Sequence, residues 1–211
     1  MWNKLKSLLI EAFKANFDLI AKWFAANGLK LNVQKTQILN FHANYSKSSF
    51  ADKDYPFKVE SACSFLGLKI DSSLTWKNHV EHLVGKISKA YYAILTLSGI
   101  VDYSVLKQVY YAYVYSYITY GVIFWGDSSL SYKVFRKQKE IVRVMMGAKR
   151  RASCRPLFLE SGILPLPCVF ILYSLLYVKS NFEEFSSRNH VHNYGLKYKR
   201  FMIKLVLRTC F

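Results

Sequence analysis

The chain has 211 residues, of which 52% are hydrophobic and 20% are charged. This composition excludes intrinsic disorder as the default state, because a chain of this size and apolar content can bury a substantial core. Lys and Arg number 30 against 13 Asp and Glu, and the formal net charge of +17 favours a polyanionic partner, either nucleic acid or an anionic membrane.

Cysteine usage indicates a reducing compartment. The four cysteines form no C-x-x-C pair, and the five histidines do not complete a zinc-ligand pattern around them. We therefore predict reduced, mostly buried thiols. The first residues do not resemble a secretory signal, so we expect an intracellular protein that is not secreted.

The first part of the chain predicts one helix and short strands. Apolar residues recur with helical spacing from residue 2 to about 26, and Asn27-Gly28 then supplies a C-terminal stop. Alternation of apolar and polar residues predicts strands at 29–33 and 36–41.

A polar stretch from 42 to 56 predicts a loop, and two alternating segments, 57–60 and 65–70, predict a β-hairpin. Helical periodicity then predicts helices at 77–97, 104–117, 130–146 and from Pro167 to about 180. The fold class expected is α+β, with a small α+β head, 1–75, followed by an all-α bundle, 76–211.

Membrane spans are a weaker interpretation of the uncharged segments. Gln108–Gly126 and Ser161–Val178 approach the roughly 20 residues that cross a bilayer core. The first contains six Tyr, which prefer the membrane interface to its centre, and the second is interrupted by Pro165 and Pro167. We expect buried helices instead, and a small basic membrane protein stays an alternative.

The residues show no pattern typical of a catalytic centre. Asp52-x-Asp54 is explained better as a solvated turn, and no Asp-Asp pair, Gly-x-Ser-x-Gly or Gly-x-Gly-x-x-Gly is present. His79 and His82 could bind a metal if a third ligand lay near, but two exposed helix histidines are the more usual outcome.

The most basic segment of the chain points to phosphate contact. Residues 128–155 contain nine Lys or Arg and a single acid, Glu140. Solubility alone does not require such an imbalance. The segment therefore predicts a surface that neutralises phosphates, with an affinity that falls steeply with salt.

Several short motifs follow one another in a characteristic order. They are W…NGL-x-LN-x-x-KT at 23–36, FLG…D…L-x-W-x-x-H at 65–79, YG…W…QK…R at 120–143, PLF…GIL at 156–164 and H-x-H-x-Y, which contains an H-x-Y, at 190–194. This order resembles reverse transcriptases of LINE-type (non-LTR) retrotransposons, with the jockey-like branch closest. The resemblance covers residues 1–195, but Leu196-Lys197 stand where the family has Thr-Arg.

The resemblance implies three regions. Residues 1–75 are the C-terminal part of the polymerase palm, with Phe65–Asp71 as the primer-grip hairpin. Residues 76–160 are the thumb helical bundle, and residues 161–211 are a C-terminal helical extension.

The resemblance also implies roles for particular residues. Lys35 occupies the position of a lysine that assists pyrophosphate departure, although a surface lysine beside a turn explains it equally well. The proposed contacts to the nucleic acid come from the hairpin and the thumb, and they are Gly67, Lys69, Lys86, Lys89, Arg136, Lys137 and Arg143.

The catalytic Asp-Asp turn of the family precedes the first motif, so we expect a truncated RNA-directed DNA polymerase that is inactive alone. Mg²⁺ is the cofactor of the full-length family, and none is expected here. The expected partners are a template–primer RNA/DNA duplex and the missing N-terminal half, with no membrane and no small-molecule ligand, in a nuclear or cytoplasmic nucleoprotein. Two alternative functions stay open. One is a non-functional transposon remnant, which exposes apolar residues such as Trp2, Ile10 and Phe24, and the other is the small basic membrane-associated protein.

Overall fold

The computed structural model describes residues 2–39, 41 and 58–182, and the chain divides into two units between Cys63 and Ser64. This division precedes the palm–thumb boundary that the resemblance places after residue 75, and the palm and thumb assignment stays a prediction. The described fold is α+β with helices predominating, as expected. The predicted loop at 42–56, the H-x-Y motif and the tail from 183 lie outside the described residues.

The first unit is built on the predicted helix, which is confirmed as α1, Trp2–Ala26. Gly28 has φ +66°, and the Leu29 N–H donates to the Phe24 carbonyl at 2.8 Å, which is the left-handed glycine stop that the sequence indicates. No side chain of α1 from Glu11 onward is buried.

The strand predicted at 29–33 is wrong. Residues 29–32 form no regular element, and a 3-10 turn, Val33–Lys35, follows them, because Asn32 competes for the local backbone. Its Oδ1 accepts the Lys35 N–H at 3.1 Å, and its carbonyl accepts the Thr36 hydroxyl at 2.8 Å. The next predicted strand is confirmed in shorter form as β1, Gln37–Leu39.

The predicted pairing of 57–60 with 65–70 is also wrong. Strand β2, Lys58–Glu60, pairs in parallel with β1, with Ile38 opposite Val59. The hairpin forms from β3, Ala62–Phe65, and β4, Leu68–Asp71. The cause is the Leu66-Gly67 dipeptide, which lies inside the predicted strand 65–70 and turns the chain with φ +46° and +83°.

The second unit continues into helices. The predicted helices at 77–97 and 130–146 are confirmed as α2, Lys77–Leu97, and α6, Tyr132–Met145, and the helix after Pro167 is confirmed as α8, Leu166–Ser180. The tyrosine-rich helix is divided by a π-helical turn at 111–115. Four shorter helices complete the described part of the unit: α3, Tyr103–Tyr110; α4, Ser116–Thr119; α5, Val122–Trp125; and α7, Cys154–Ser161.

The core of the second unit lies where α2, α3 and α6 meet the segment around Trp125. Tyr110 and Trp125 are the largest side chains that are fully buried. Cys154 and Cys168 are buried and Cys63 is half-buried, and all three are thiols rather than disulfides. The expectation of reduced, mostly buried cysteines is met by these three.

A buried glutamine fixes α6 within this core. Gln138 Nε2 donates to the Tyr110 hydroxyl and to the Leu164 carbonyl, both at 2.9 Å, and Oε1 accepts the Leu166 N–H at 2.8 Å. One amide thus ties α6 to α3 and to the start of α8. Burying a polar side chain is tolerated here because its donors and acceptor find partners.

Among the described residues, no single helix is long and apolar enough to cross a bilayer. Helices α7 and α8 pass a length-and-composition test only as a pair, and they are bent by 51° at the break between them.

Gln138 provides the first test of this core. Gln138→Leu removes the partner of the buried Tyr110 hydroxyl, of the part-buried Leu164 carbonyl and of the buried Leu166 N–H, which we expect to lower the free energy of unfolding by about 2–4 kcal/mol. Urea denaturation followed by circular dichroism measures the change. Gln108→Leu is the matched control, because Gln108 is exposed on α3, and an equal loss in both variants would contradict the role of Gln138.

Candidate nucleic-acid interface

The hairpin turn is attached to the helical bundle by a tyrosine. The Tyr120 hydroxyl donates to the Leu66 carbonyl, and a Cβ added to Gly67 would meet the Tyr120 ring at 3.5 Å. That is ordinary contact, so the need for glycine at position 67 comes from its φ of +83° rather than from lack of space. Gly67 therefore shapes the turn, and Tyr120 holds it.

The exit of the hairpin is fixed by Asp71, whose role we did not predict. Its carboxylate accepts hydrogen bonds from the Thr75 and Trp76 N–H groups at 2.9 and 2.8 Å and from the Ser73 N–H at 3.2 Å. Trp76 has φ +60°, a conformation that costs free energy and needs such support. Asp71 thus sets the direction in which α2 leaves the hairpin. The D…L-x-W spacing is the sequence signal for this role.

A buried histidine joins β4 to α2. His79 is only 1% exposed, and its ring lies between Trp76 and Trp125, with centroids at 6.1 and 5.8 Å. Its Nδ1 accepts the Lys69 N–H at 3.4 Å. The expectation of two exposed histidines is therefore wrong for His79, because the apolar face of α2 turns this position toward the tryptophans.

Burial and neighbouring charges keep His79 neutral. Desolvation is the main cause that lowers its pKa from 6.5 to about 4, and His82, Lys69 and Lys86 add to it. A neutral ring is also what the geometry requires, since only an unprotonated Nδ1 can accept the Lys69 N–H. The contact between β4 and α2 therefore depends on the protonation state of His79.

Four basic side chains from the hairpin and α2 lie beside this contact. Lys69 and Lys86 both lie near enough to His82 to lower its pKa, after the effect of partial burial. Lys86 Nζ lies 4.9 Å above the Tyr117 ring. Lys89 is exposed one turn further along the same helix face. We call Lys69, His82, Lys86 and Lys89 the basic ridge.

The lysine charges of the basic ridge are not neutralised by carboxylates of the described residues. Among the described residues, no carboxylate lies within ion-pair distance of Lys69, Lys86 or Lys89. The hairpin and the first bundle helix, which follow one another in the chain, thus place positive charge on one surface.

The predicted contacts on α6 have different surroundings. Arg136 and Lys137 share one carboxylate, Glu140, at 3.8 and 2.8 Å. Lys137 Nζ also lies 5.7 Å from the centre of the Tyr91 ring of α2, so this side chain faces the neighbouring helix. The Arg136 side chain is 77% exposed and is the more available of the two.

Arg143 holds a loop in place. Its Nε donates to the Ala152 carbonyl at 2.9 Å, which fastens the segment after α6, including the basic residues Lys149, Arg150 and Arg151. Its seven-residue spacing from Arg136 places both on one face of α6. The seven predicted contacts therefore divide between the basic ridge with the hairpin turn and the surface of α6.

Lys35 lies in the other unit. It ends the 3-10 turn with an exposed side chain, and its N–H is bonded to Asn32. This environment is that of a surface lysine beside a turn, and the role of Lys35 in pyrophosphate departure stays a prediction. In the described part of the chain, no group of three or more His, Cys, Asp or Glu residues is arranged to hold a metal ion.

No protein-family model, no curated protein and no solved structure matches the chain.

The pKa of His79 leads to a pH dependence of stability. The unfolded chain binds a proton near pH 6.5 and the folded chain only near pH 4, so the unfolding free energy falls as the pH drops through this interval. The loss reaches about 3 kcal/mol at the lower end. Denaturant unfolding at a series of pH values measures it.

The variant His79→Gln has no proton to bind, so we expect it to flatten this part of the pH profile. His82→Gln is the control and leaves most of the slope, because His82 is only half-buried. A profile in His79→Gln as steep as in the unmodified chain would refute the assignment.

Proposed function

We propose that this chain carries the template–primer-binding palm and thumb elements of a LINE-type non-LTR retrotransposon reverse transcriptase, an RNA-directed DNA polymerase, without its catalytic Asp pair. Its function is to bind an RNA/DNA template–primer duplex through the phosphates. The observation that carries this proposal is that Lys69 and Lys86 lie on one surface, with no carboxylate in the described part of the chain within ion-pair distance of either.

The electrostatics of the basic ridge favour a polyanion. Like charges held close together repel one another, and the charges of Lys69 and Lys86 add to the effect of burial in lowering the pKa of His82. A row of phosphates removes that repulsion and releases its own condensed counterions. Such contacts set position without reading sequence, which suits a protein that must follow a template of any sequence.

The motif residues also contact one another. Tyr120 of the YG…W motif bonds to Leu66 of the FLG motif, and Trp125 packs on His79 of the W-x-x-H motif. Gln138 of the QK motif bonds to the carbonyl of Leu164. The motif residues on which the resemblance rests thus join the hairpin to the helices and the helices to one another, and this supports the proposal.

An exposed apolar surface on α1 indicates that another polypeptide binds there. Leu19, Ile20 and Trp23 are 64%, 51% and 59% exposed, although helical spacing places them together. Exposed clusters of this kind mark surfaces that another polypeptide covers. We propose that the remaining part of a polymerase palm covers this one.

In our proposal, the surface of α6 contributes less to duplex binding than the basic ridge does. Glu140 already satisfies part of the charge of Arg136 and Lys137, so a phosphate gains less there than on the basic ridge. Arg143 acts mainly by holding the loop before α7. We therefore assign the larger share of duplex affinity to Lys69 and Lys86.

Binding to a short RNA–DNA hybrid tests this assignment. Replacing Lys69 and Lys86 together with Gln removes two phosphate contacts. We expect the slope of log affinity against log salt to become shallower by about 2, with an equal loss for hybrids of different sequence. Fluorescence anisotropy over a series of salt concentrations measures both.

The matched control removes the same total charge elsewhere. Lys22→Gln and Lys179→Gln, combined, replace exposed lysines of α1 and α8, and we expect at most half of the change in slope. Equal slopes for the two double variants would mean that net charge, rather than the basic ridge, binds the duplex.

Primer extension tests the catalytic part of the proposal. The 211 residues contain no Asp-Asp pair to hold the metal ions that phosphoryl transfer needs. The purified chain with a primed template, nucleotides and Mg²⁺ should bind the duplex without extending the primer. Metal-dependent nucleotide incorporation would overturn this part.

A further inference from the structure

A cleft separate from the basic ridge opens between α6, α7 and the start of α8. Its volume is about 540 Å³, within the usual range of small-molecule sites. None of the basic-ridge residues lines it. Its walls are mostly apolar and include Phe135, Phe158, Leu159, Ile163, Leu164 and Pro165.

Three cations line the same cleft, and no acid does. They are Lys139, Arg143 and Arg155. Glu140, the acid of α6, pairs with Arg136 and Lys137 instead, and in the described part of the chain no carboxylate pairs with any of the three. The cleft therefore combines an apolar wall with uncompensated positive charge.

The three cations are held to different degrees. Lys139 Nζ lies 4.6 Å above the Phe135 ring, and the bond from Arg143 Nε to Ala152 fixes that guanidinium. Arg155 is exposed at the first turn of α7. Two of the three charges are thus positioned before any ligand arrives.

We propose that this cleft binds a single-chain amphipathic anion, that is, an alkyl chain that carries one carboxylate, sulfate or phosphate group. The chain packs against Leu159, Ile163 and Pro165, and the anionic group pairs with Lys139, Arg143 and Arg155. We expected no small-molecule ligand from the sequence. The inference does not rest on the proposed binding of nucleic acid.

The walls fit an alkyl chain better than a nucleobase. The rings of Phe135 and Phe158 stack on each other at 6.2 Å, and Lys139 covers Phe135, so these aromatic faces are already in use. Leu159 is 62% exposed, and it offers apolar area that an alkyl chain removes from water.

Calorimetric titration of the full chain with dodecanoate, kept below its critical micelle concentration and at physiological ionic strength, tests the proposal. Dodecyltrimethylammonium supplies the same chain with a positive head, and acetate supplies the head alone. We expect one saturable site for dodecanoate, with an affinity at least tenfold higher than for either control. Equal affinity for the two dodecyl compounds would overturn the proposal.

Variants locate the site. Combined Lys139→Gln and Arg155→Gln should weaken dodecanoate binding about tenfold, and Leu159→Asn, a change at an exposed position, should weaken it severalfold. The double replacement of Lys22 and Lys179 by Gln removes the same charge and should leave the affinity unchanged. Loss of binding in that control to the same extent would refute the site.

A vesicle assay separates a soluble ligand from a membrane surface. Sedimentation with anionic phospholipid vesicles, with and without dodecanoate, measures membrane binding. The proposal predicts that monomeric dodecanoate binds in the absence of vesicles. Binding to vesicles alone, with no titration by monomeric dodecanoate, would contradict it.

Discussion

The attachment of the β3–β4 hairpin to the helices is the constraint on which the candidate interface depends. Asp71 fixes the exit of the hairpin, His79 receives the Lys69 N–H, and Tyr120 holds the turn at Leu66. A two-stranded hairpin is marginal by itself in water, so these contacts decide its position. If they fail, Lys69 no longer lies beside Lys86, and the basic ridge loses its hairpin member.

This arrangement separates residues that stabilise the fold from residues that are free to bind. The motif side chains of Asp71, His79, Trp125 and Gln138 face inward or toward backbone groups, and each is occupied by structural contacts. The lysines of the basic ridge stand outside them, and no carboxylate among the described residues pairs with them. The motif residues are therefore explained here by the need to hold a hairpin against a helix, and the duplex binding that we propose falls to less distinctive lysines.

Sequence periodicity predicted the long elements well, because α1, α2 and α6 each repeat apolar residues at helical spacing. Sequence periodicity did not predict which strands pair when the two strands are distant along the chain. Nothing local in Lys58–Glu60 indicates a parallel partner at 37–39, and the Leu66-Gly67 turn was hidden by a run of apolar residues on both sides. For the candidate site, the lysines were found from charge and motif position. The burial of His79 and the apolar cleft depend on tertiary packing, which periodicity does not encode.

Hydrogen–deuterium exchange with and without a bound RNA–DNA hybrid tests the central claim most directly. The account predicts that the duplex slows exchange in the hairpin turn around residues 65–69 and in α2 around residues 82–89. Slower exchange confined to α6 and the loop at 147–153, with none in the hairpin, would contradict the claim that the attached hairpin and α2 form the duplex-binding surface.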